Sequence, residues 1–319
     1  MTPAWADFMD PVDFSSMLRS CELCPRKCGA DRARGKKGFC GAGRGIEVFR
    51  YAPHRGEEPP VSGSRGSGTV FFSRCTMRCL YCQNYPWSQE GAGQSMESEA
   101  LADVLQELAD RGCHNWNLVS PTPWLPGICR ALESAKAGGR SLPVVYNTSG
   151  YERPEILRGL EGAVDIYLAD LRYADPESAR EGSGAADYVE CARAALEEMW
   201  RQAGKLETTP DGVGISGLIC RILVLPGRAE EACRSIRWLA DNFGPEVAVS
   251  VMAQYVPAYR AGQYPEWNRR VSPEEYRGVC REFEKGGFAM GWIQEYDERP
   301  DLELAGFNMP AMDMVPGEA

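Results

Sequence analysis

The feature that most constrains the fold is a regular alternation of strand-like and helix-like segments from residue 69 onward. Six short runs rich in β-branched or apolar residues are bounded by Gly, Pro or Asn, and they span 69–73, 115–119, 143–146, 164–169, 218–225 and 247–252. Strands that alternate with helices form parallel sheets, because each helix carries the chain back across the sheet. The sequence therefore predicts an α/β fold in which six strand–helix units make a partial (β/α)6 barrel.

Three of the helices have clear sequence signals. Segments 97–111 and 186–202 each carry an apolar stripe at helical spacing, and Gly112 follows the first of them. The stripes consist of Leu101, Val104, Leu105 and Leu108 in the first segment and Tyr188, Cys191, Ala192, Ala195, Leu196 and Met199 in the second. The third helix begins after Ser272, which offers an N-cap with Glu275 as the capping-box partner, and two glycines at 286–287 end it.

Three cysteines with the spacing C-x3-C-x2-C, Cys75, Cys79 and Cys82, follow the first predicted barrel strand directly. Thiols this close cannot easily pair with one another, but they can surround one metal centre. A cubane iron–sulfur cluster has four irons, so three cysteines leave one iron open to another ligand. An open metal position is typical of a centre that does chemistry. The alternative is a structural zinc knuckle that takes a fourth ligand from elsewhere.

A second set, Cys21, Cys24, Cys28 and Cys40, supplies four ligands with the spacing C-x2-C-x3-C-x11-C. It predicts a closed site that holds structural zinc or an auxiliary iron–sulfur cluster, and the spacing does not choose between them. Four unliganded cysteines are the less favoured alternative, because a Gly- and Pro-rich segment this small has too little core to order itself. We expect a metal-binding N-terminal extension over 1–68, a barrel over 69–296 and a tail over 297–319.

Composition excludes several classes of function. A net charge of −10 over 319 residues argues against a nucleic-acid partner, whose binding depends on Lys and Arg. No apolar run reaches membrane-spanning length, and residues 1–10 lack the layout of a signal peptide. We therefore expect no membrane association and a cytoplasmic protein, in which 13 cysteines are metal ligands or buried thiols rather than disulfides.

Several stretches together resemble one known family over about residues 20–296. They include the three-cysteine motif, the segment Cys82-Gln83-Asn84, and the runs Tyr-Asn-Thr-Ser-Gly-Tyr-Glu at 146–152, Leu-Val-Leu-Pro-Gly at 223–227 and Met-Ala-Gln-Tyr at 252–255. The sequence is similar to the radical S-adenosylmethionine (SAM) superfamily. Within it, the chain resembles the branch named after the pyruvate formate-lyase activating enzyme.

This resemblance implies the cofactors and the site. Cys75, Cys79 and Cys82 would hold a [4Fe–4S] cluster, SAM would chelate the open iron, and an electron would cleave SAM to a 5′-deoxyadenosyl radical. Tyr81 would lie near the adenine. Hydroxyl, amide and charged groups at the carboxyl ends of the strands, where barrel active sites lie, would hold the ribose and the methionine end of SAM, and they are Thr122, Asn147, Ser149, Asp170 and Arg221. Asp170 could act through a monovalent cation.

The sequence departs from the family pattern at three positions. Arg74 stands where Gly usually precedes the first cluster cysteine, Pro123 where the second strand's loop usually has His, and Arg172 where glycyl-radical activators have Lys. Arg and Lys are not interchangeable at such sites. SAM cleavage is still expected, whereas the target is not predicted.

Three functions remain open at this point. The leading one is hydrogen abstraction from a glycyl-radical enzyme or another macromolecule, with a flavodoxin- or ferredoxin-type electron donor. The second is a small-molecule radical enzyme, for example a sugar epimerase. The third, of another class, is a non-catalytic iron–sulfur sensor or scaffold. SAM cleavage separates the third from the first two.

Two smaller expectations concern residues near the site. In the charged segment His54 to Pro60, the side chains of His54, Glu57 and Glu58 could face the active site, but spacing alone favours a solvated loop. Cys220 should face the helices if its neighbour Arg221 faces the barrel interior, because side chains alternate along a strand. Cys191 is expected in the core of its helix.

Overall fold

The computed structural model describes residues 13–297, 302 and 305–310. Within these residues ten strands form one mixed sheet. The strands are β1 Ile46–His54, β2 Ser67–Phe72, β3 Gln94–Met96, β4 Trp116–Val119, β5 Val144–Thr148, β6 Ile166–Asp170, β7 Glu207–Thr208, β8 Gly214–Leu223, β9 Ala248–Met252 and β10 Gly291–Ile293.

Helices connect the strands and cover the sheet. They are α1 Pro59–Ser62, α2 Tyr85–Ser88, α3 Ser98–Asp110, α4 Leu125–Ala137, α5 Pro154–Arg158, α6 Pro176–Ser183, α7 Tyr188–Ala203, α8 Ala229–Phe243 and α9 Pro273–Gly286. No helix in the described part of the chain is long and apolar enough to cross a membrane.

The sheet order is β10-β9-β8-β6-β5-β4-β2-β1-β3, with β7 paired to β8. The seven strands from β10 to β2 run parallel, whereas β1 is antiparallel to β2 and β3 is antiparallel to β1. The six predicted strands are the parallel strands β2, β4, β5, β6, β8 and β9. The predicted partial barrel is therefore confirmed as a mostly parallel α/β sheet with a cysteine-rich N-terminal segment.

The predicted helices with apolar stripes are confirmed. Leu101, Leu105 and Leu108 of α3 are fully buried, as are Ala195 and Leu196 of α7. Cys191 is the exception, because it lies at the margin of the α7 stripe and is only half-buried.

The predicted start and end of α9 are also confirmed. Ser272 and Glu275 form a reciprocal capping box, and Gly287 ends the helix with a φ of +63°. A positive φ of this size favours glycine, which has no Cβ to clash.

Residues outside the predicted strands extend the sheet at both edges. β1, which belongs to the predicted N-terminal extension, pairs along the whole of β2, from Val48 opposite Phe72 to His54 opposite Ser67. β10 follows α9 and pairs with β9. Most of the predicted tail, 297–319, lies outside the described residues.

The barrel strands turn polar residues to their inner face. Asp170 at the end of β6 pairs with Arg221 of β8. On the other side of β6, Asn147 of β5 pairs with Leu168, two residues before Asp170. Cys220 is fully buried among the outer helices, as predicted from alternation with Arg221. This arrangement places charged and amide groups in the barrel interior.

Candidate active site and cysteine centres

The three-cysteine loop, residues 75–82, begins where β2 ends. Arg74, just before it, has a φ of +71°, a backbone conformation that favours glycine and explains the glycine that the family usually has there. The Arg74 side chain bonds the Glu47 carboxylate at 2.7 Å. Arg74 therefore adopts the backbone conformation that a glycine at this position would favour.

Each of the three thiols has a polar group beside it. The backbone N–H of Met77 lies 3.5 Å from Cys75 Sγ, and Cys82 Sγ lies 3.2 Å from Ser88 Oγ. Cys79 Sγ accepts from Ser183 Oγ at 3.0 Å and from Arg172 Nη1 at 3.1 Å. Donors to sulfur favour the anionic form that ligates iron.

Burial disfavours the anionic thiolate form of Cys75 and Cys82. It raises the pKa of the Cys75 thiol to about 12 and that of the Cys82 thiol to about 11. A positive metal centre bound between them would offset this cost, because metal ligation stabilises the thiolate. The donor set of this loop thus fits an iron–sulfur cluster.

Contacts with the rest of the barrel hold the loop in place. Tyr81 stacks on Trp267 with ring centroids 5.1 Å apart, and its hydroxyl lies 2.6 Å from that of Tyr173. Gln83 donates to the carbonyl of Gln254 at 2.7 Å. The long segment after β9 therefore reaches across the barrel mouth to the cysteines.

A buried network of charges joins this loop to the strands. Asp170 Oδ2 accepts from Arg172 Nη2 at 2.5 Å, and Asp170 Oδ1 accepts from Arg221 Nε at 2.8 Å. Arg221 also bonds Glu57 at 3.1 Å and the Asn147 side-chain oxygen at 2.7 Å. Burial raises the pKa of Asp170, but the two guanidinium groups outweigh burial and hold that pKa below its usual value. Asp170 is therefore ionised at neutral pH.

The prediction that the segment from His54 to Pro60 is a solvated loop is wrong. Glu57 Oε1 accepts from the side-chain amides of Asn117 at 3.0 Å and Asn147 at 3.1 Å inside the barrel. Glu58 is buried, and burial raises its pKa. Spacing could not show this, because the partners of both carboxylates come from strands far along the chain.

A cavity of about 450 Å³, here called the barrel cavity, opens beside these groups. Five of the predicted site residues line it, and they are Tyr81, Cys82, Asn147, Asp170 and Arg221. His54 and Glu57, for which an active-site position was the less favoured alternative, also line it, and so does Arg270, which sequence reasoning did not consider. A volume of this size is in the ordinary range for ligand pockets.

The structure places Thr122 and Ser149 away from the lining of the barrel cavity. Ser149 is buried, and its carbonyl accepts from the Tyr188 hydroxyl at 2.8 Å. Thr122 donates to Glu152 at 2.6 Å and contacts the Tyr146 hydroxyl at 3.0 Å. The turn after β4 therefore faces the N-terminal cysteines at Thr122, whereas Val119 at the end of β4 lines the barrel cavity.

Glu152 is a buried carboxylic acid that sequence reasoning did not single out as a functional residue. Its Oε1 accepts from Thr122 and also from Thr148 at 2.5 Å, while Oε2 has no hydrogen-bond partner among the described residues. Burial raises its pKa to about 7, although the hydroxyl donors oppose this shift. The available signal was its place at the end of the run 146–152.

The N-terminal cysteines, Cys21, Cys24, Cys28 and Cys40, line one small cavity together, and we call residues 21–40 the four-cysteine module. Arg32 is fully buried there, and its Nη1 lies 3.9 Å from Cys21 Sγ. A buried guanidinium requires compensating negative charge, and the thiolates are its neighbours. Cysteines are the residue type that ligates both structural zinc and iron–sulfur clusters. Among the described residues, no three His, Cys, Asp or Glu side chains are arranged to hold a single metal ion.

The two cysteine groups adjoin each other. Thr76, in the three-cysteine loop, lines the small cavity of the four-cysteine module. Arg26 donates to the Thr76 carbonyl at 3.3 Å and to the Gly184 carbonyl at 2.5 Å. The module therefore packs directly on the loop that carries Cys75.

A family comparison shows what the central part of the chain is similar to. Residues 69–217, which include the three-cysteine loop and the strands from β4 to β6, match the model of the radical SAM superfamily. The match covers less than half of the 319 residues, and it shows that this part of the chain is similar to the radical SAM superfamily. The branch named after the pyruvate formate-lyase activating enzyme stays a prediction.

Individual proteins resemble the chain more distantly. An uncharacterized protein of Methanocaldococcus jannaschii is 27% identical over 278 residues, which cover 85% of this chain and 76% of that protein. The FeFe-hydrogenase maturase HydG from Carboxydothermus hydrogenoformans is 15% identical with a TM-score of 0.48, over 71% of this chain and 52% of that one. Streptococcus suis SuiB bound to S-adenosylmethionine is 9% identical with a TM-score of 0.47, over 70% and 48%. The chain thus spans about half the length of these two solved structures.

Proposed function

We propose that this enzyme cleaves SAM reductively at a [4Fe–4S] cluster held by Cys75, Cys79 and Cys82, and that it abstracts a hydrogen atom from a partner molecule. The observation that carries the proposal is the shared cavity: Tyr81 and Cys82 of the three-cysteine loop line the same space as Asp170 and Arg221 of the inner strands. A molecule in this space would touch both the cluster ligands and the buried charges.

The chemistry belongs to the bound groups. One electron from a flavodoxin- or ferredoxin-type donor, passed through the cluster, would break a carbon–sulfur bond of SAM and give methionine and a 5′-deoxyadenosyl radical. The radical would take a hydrogen atom from the partner and become 5′-deoxyadenosine. The protein's contribution is to orient SAM and to exclude water from the radical.

Named residues support each part of this contribution. Cys75, Cys79 and Cys82 would hold the cluster, and Arg172 lies beside the Cys79 sulfur. Tyr81, fixed against Trp267, offers an aromatic face to the cavity. The Asp170 carboxylate, which bonds Arg172 and Arg221, would hold the methionine end of SAM.

The partner is a macromolecule or a small molecule. If it is a glycyl-radical enzyme, the reaction is glycyl-radical activation. The small-molecule alternative, for example a sugar substrate, has an observation in its favour. Leu302, Ala305 and Met309 of the C-terminal segment line the barrel cavity, and Met309 packs near Phe71 and Trp87. This segment narrows the space through which a large partner would reach the site.

The direct test is SAM turnover by anaerobically reconstituted, reduced protein. We expect 5′-deoxyadenosine from the wild type and none from Cys79→Ala, which removes one cluster ligand. Cys280→Ala is the matched control, because Cys280 lies outside both cysteine sets on α9. Turnover by Cys79→Ala at the wild-type rate would refute the cluster assignment, and no turnover by the wild type would favour the sensor or scaffold hypothesis.

A second expectation concerns Asp170→Asn, which keeps the shape of the side chain and removes its charge. SAM affinity should fall about tenfold or more, because the carboxylate that organises Arg172 and Arg221 is lost. The cluster absorbance should stay, since no cysteine changes. Equilibrium dialysis of SAM against both proteins measures this, and equal dissociation constants would remove Asp170 from the SAM site.

A further inference from the structure

Three arginines line the barrel cavity, and two of them already have anionic partners. Arg172 bonds Asp170 and the Cys79 sulfur, while Arg221 bonds Asp170, Glu57 and Asn147. Two carboxylates therefore balance these two guanidinium groups. Each donor nitrogen of Arg221 already has a partner in the protein.

Arg270 differs from both. It lies in the segment between β9 and α9, and Nη2 donates to the Ala253 carbonyl at 3.4 Å. Its Nε and Nη1 are buried and have no hydrogen-bond partner among the described residues. Within the same residues no carboxylate lies within ion-pair distance of it. A buried cationic donor without a partner is costly, so such a group usually has a ligand.

The remaining acids of the cavity do not neutralise Arg270 either. Glu57 and Asp170 are committed to Arg221 and Arg172. Glu295 and Asp297 line the cavity but are exposed at its rim, and Asp297 has interactions of its own. Arg270 is therefore the arginine of this lining that has no carboxylate partner among the described residues.

A short series of hydrogen bonds links Arg270 to the three-cysteine loop. Ala253, which accepts from Arg270, precedes Gln254, whose carbonyl accepts from Gln83, the residue after Cys82. Arg270 lines the same cavity as Gln83 and Cys82. A ligand held there would lie within reach of the chemistry proposed for that loop.

We propose that Arg270 binds an anionic group, a carboxylate or a phosphate, of a molecule held in the barrel cavity. This inference rests on the proposed function, because that function identifies SAM as one ligand of the cavity. The anion comes either from the methionine carboxylate of SAM or from the substrate. A guanidinium suits both, because carboxylate and phosphate accept several N–H bonds in one plane.

The test measures binding rather than turnover. The experiment uses four anaerobically reconstituted proteins: wild type, Arg270→Gln, Arg270→Lys and Arg277→Gln. The dissociation constant of SAM is measured by equilibrium dialysis, and that of inorganic phosphate is measured by calorimetry with SAM bound. Arg277→Gln is the matched control, because it removes the same charge from an exposed position of α9. Thermal unfolding of each variant reports whether the fold is kept.

Each outcome decides one point. A rise of about tenfold or more in the SAM constant for Arg270→Gln, with Arg277→Gln unchanged, assigns the SAM carboxylate to Arg270. An unchanged SAM constant with a tenfold weaker phosphate constant assigns the anion of a second ligand. Two results overturn the proposal. In the first, Arg270→Gln binds both SAM and phosphate with dissociation constants within twofold of wild type. In the second, Arg270→Gln leaves the SAM constant unchanged and the wild type does not bind phosphate.

Two features keep the result interpretable. Arg270→Lys retains the charge and should lose less affinity than Arg270→Gln, so it replaces that variant if Arg270→Gln does not fold. SAM cleavage by the wild type is a separate measurement. Its failure would refute the proposed function and leave the binding constants readable.

Discussion

At the scale of single residues, the inside of this barrel is organised by buried charges and their partners. Asp170, Arg172, Arg221 and Glu57 satisfy one another, and they hold the cluster loop through the Cys79 sulfur. Glu152 is the contrasting case, a buried carboxyl that has hydroxyl donors but no cation. The first arrangement holds the pKa of Asp170 below its usual value, whereas the second raises the pKa of Glu152 and favours the neutral acid.

This difference predicts a pH dependence for Glu152. The carboxyl ionises near pH 4.3 in the unfolded chain and near pH 7 in the folded one, so stability falls as the pH rises through this interval and then levels off. Glu152→Gln keeps an oxygen that accepts from Thr122 and Thr148 and removes the ionisation. Relative to wild type, it should gain about 3 kcal/mol in unfolding free energy between pH 4.3 and pH 7.

Urea unfolding from pH 5 to pH 9 measures this difference. Glu133→Gln serves as the control, because Glu133 is exposed on α4 and its replacement should give a pH-independent difference. A Glu152→Gln difference that is flat with pH would show that Glu152 is ionised throughout.

At the scale of elements, the strands and the longer helices follow from local pattern. Apolar runs of strand length and stripes at helical spacing gave β2, β4, β5, β6, β8, β9, α3 and α7. The short edge strands β3, β7 and β10 have two or three residues each and carry too little pattern to detect. Their pairing depends on neighbours that are far away in the chain.

The start of α9 offers a prediction at this scale. Glu275 bonds Arg269, the Ser272 N–H and the Gly227 N–H, and these donors lower its pKa to about 2. Glu275→Gln should lower the unfolding free energy by about 1 kcal/mol at pH 7, as the loss of a helix cap does. The contribution is full above the unfolded pKa near 4.3 and is lost as the pH falls toward 2, so the difference should shrink on acidification.

Chemical unfolding at pH 7 and pH 3 checks this expectation. Glu274→Gln is the control, since it neutralises the neighbouring, exposed glutamate outside the capping box. If Glu275→Gln and Glu274→Gln matched at pH 7, the capping role would be refuted.

At the scale of the whole molecule, the two cysteine groups lie against each other. Arg26 joins the four-cysteine module to the Thr76 carbonyl, and Thr76 lines the cavity of that module. Hydrogen bonds from the backbone N–H groups of Ala30 and Phe39 outweigh burial and lower the pKa of the Cys28 thiol. This adjacency favours an auxiliary iron–sulfur cluster that relays electrons, with structural zinc as the alternative.

Metal analysis can separate these two alternatives. A Cys75/Cys79/Cys82 triple-Ala variant leaves Cys21, Cys24, Cys28 and Cys40 as the remaining set. About four irons per chain would identify a cubane, and one zinc would identify a structural site, because four thiolates complete either shell. A variant that also lacks the N-terminal four cysteines is the control and should bind neither. A triple variant without iron or zinc would refute a metal centre in the module.

The sequence by itself determined the class of fold and the positions of two groups of cysteines, which stay predicted metal ligands. Those features are local: strand and helix periods, caps and cysteine spacings repeat within a few residues. The same local reasoning placed Asp170, Asn147 and Arg221 at strand ends, and all three line the barrel cavity.

Only the tertiary structure decided which groups face which. It turned Glu57 and Glu58 from an expected solvated loop into the barrel interior, and it set Thr122 beside Glu152 and the N-terminal cysteines. It also left Arg270 with unpartnered donors while Arg221 was already paired. Each outcome depends on partners up to 164 residues apart in the chain, and electrostatic pairing over such separations is fixed by packing rather than by local pattern.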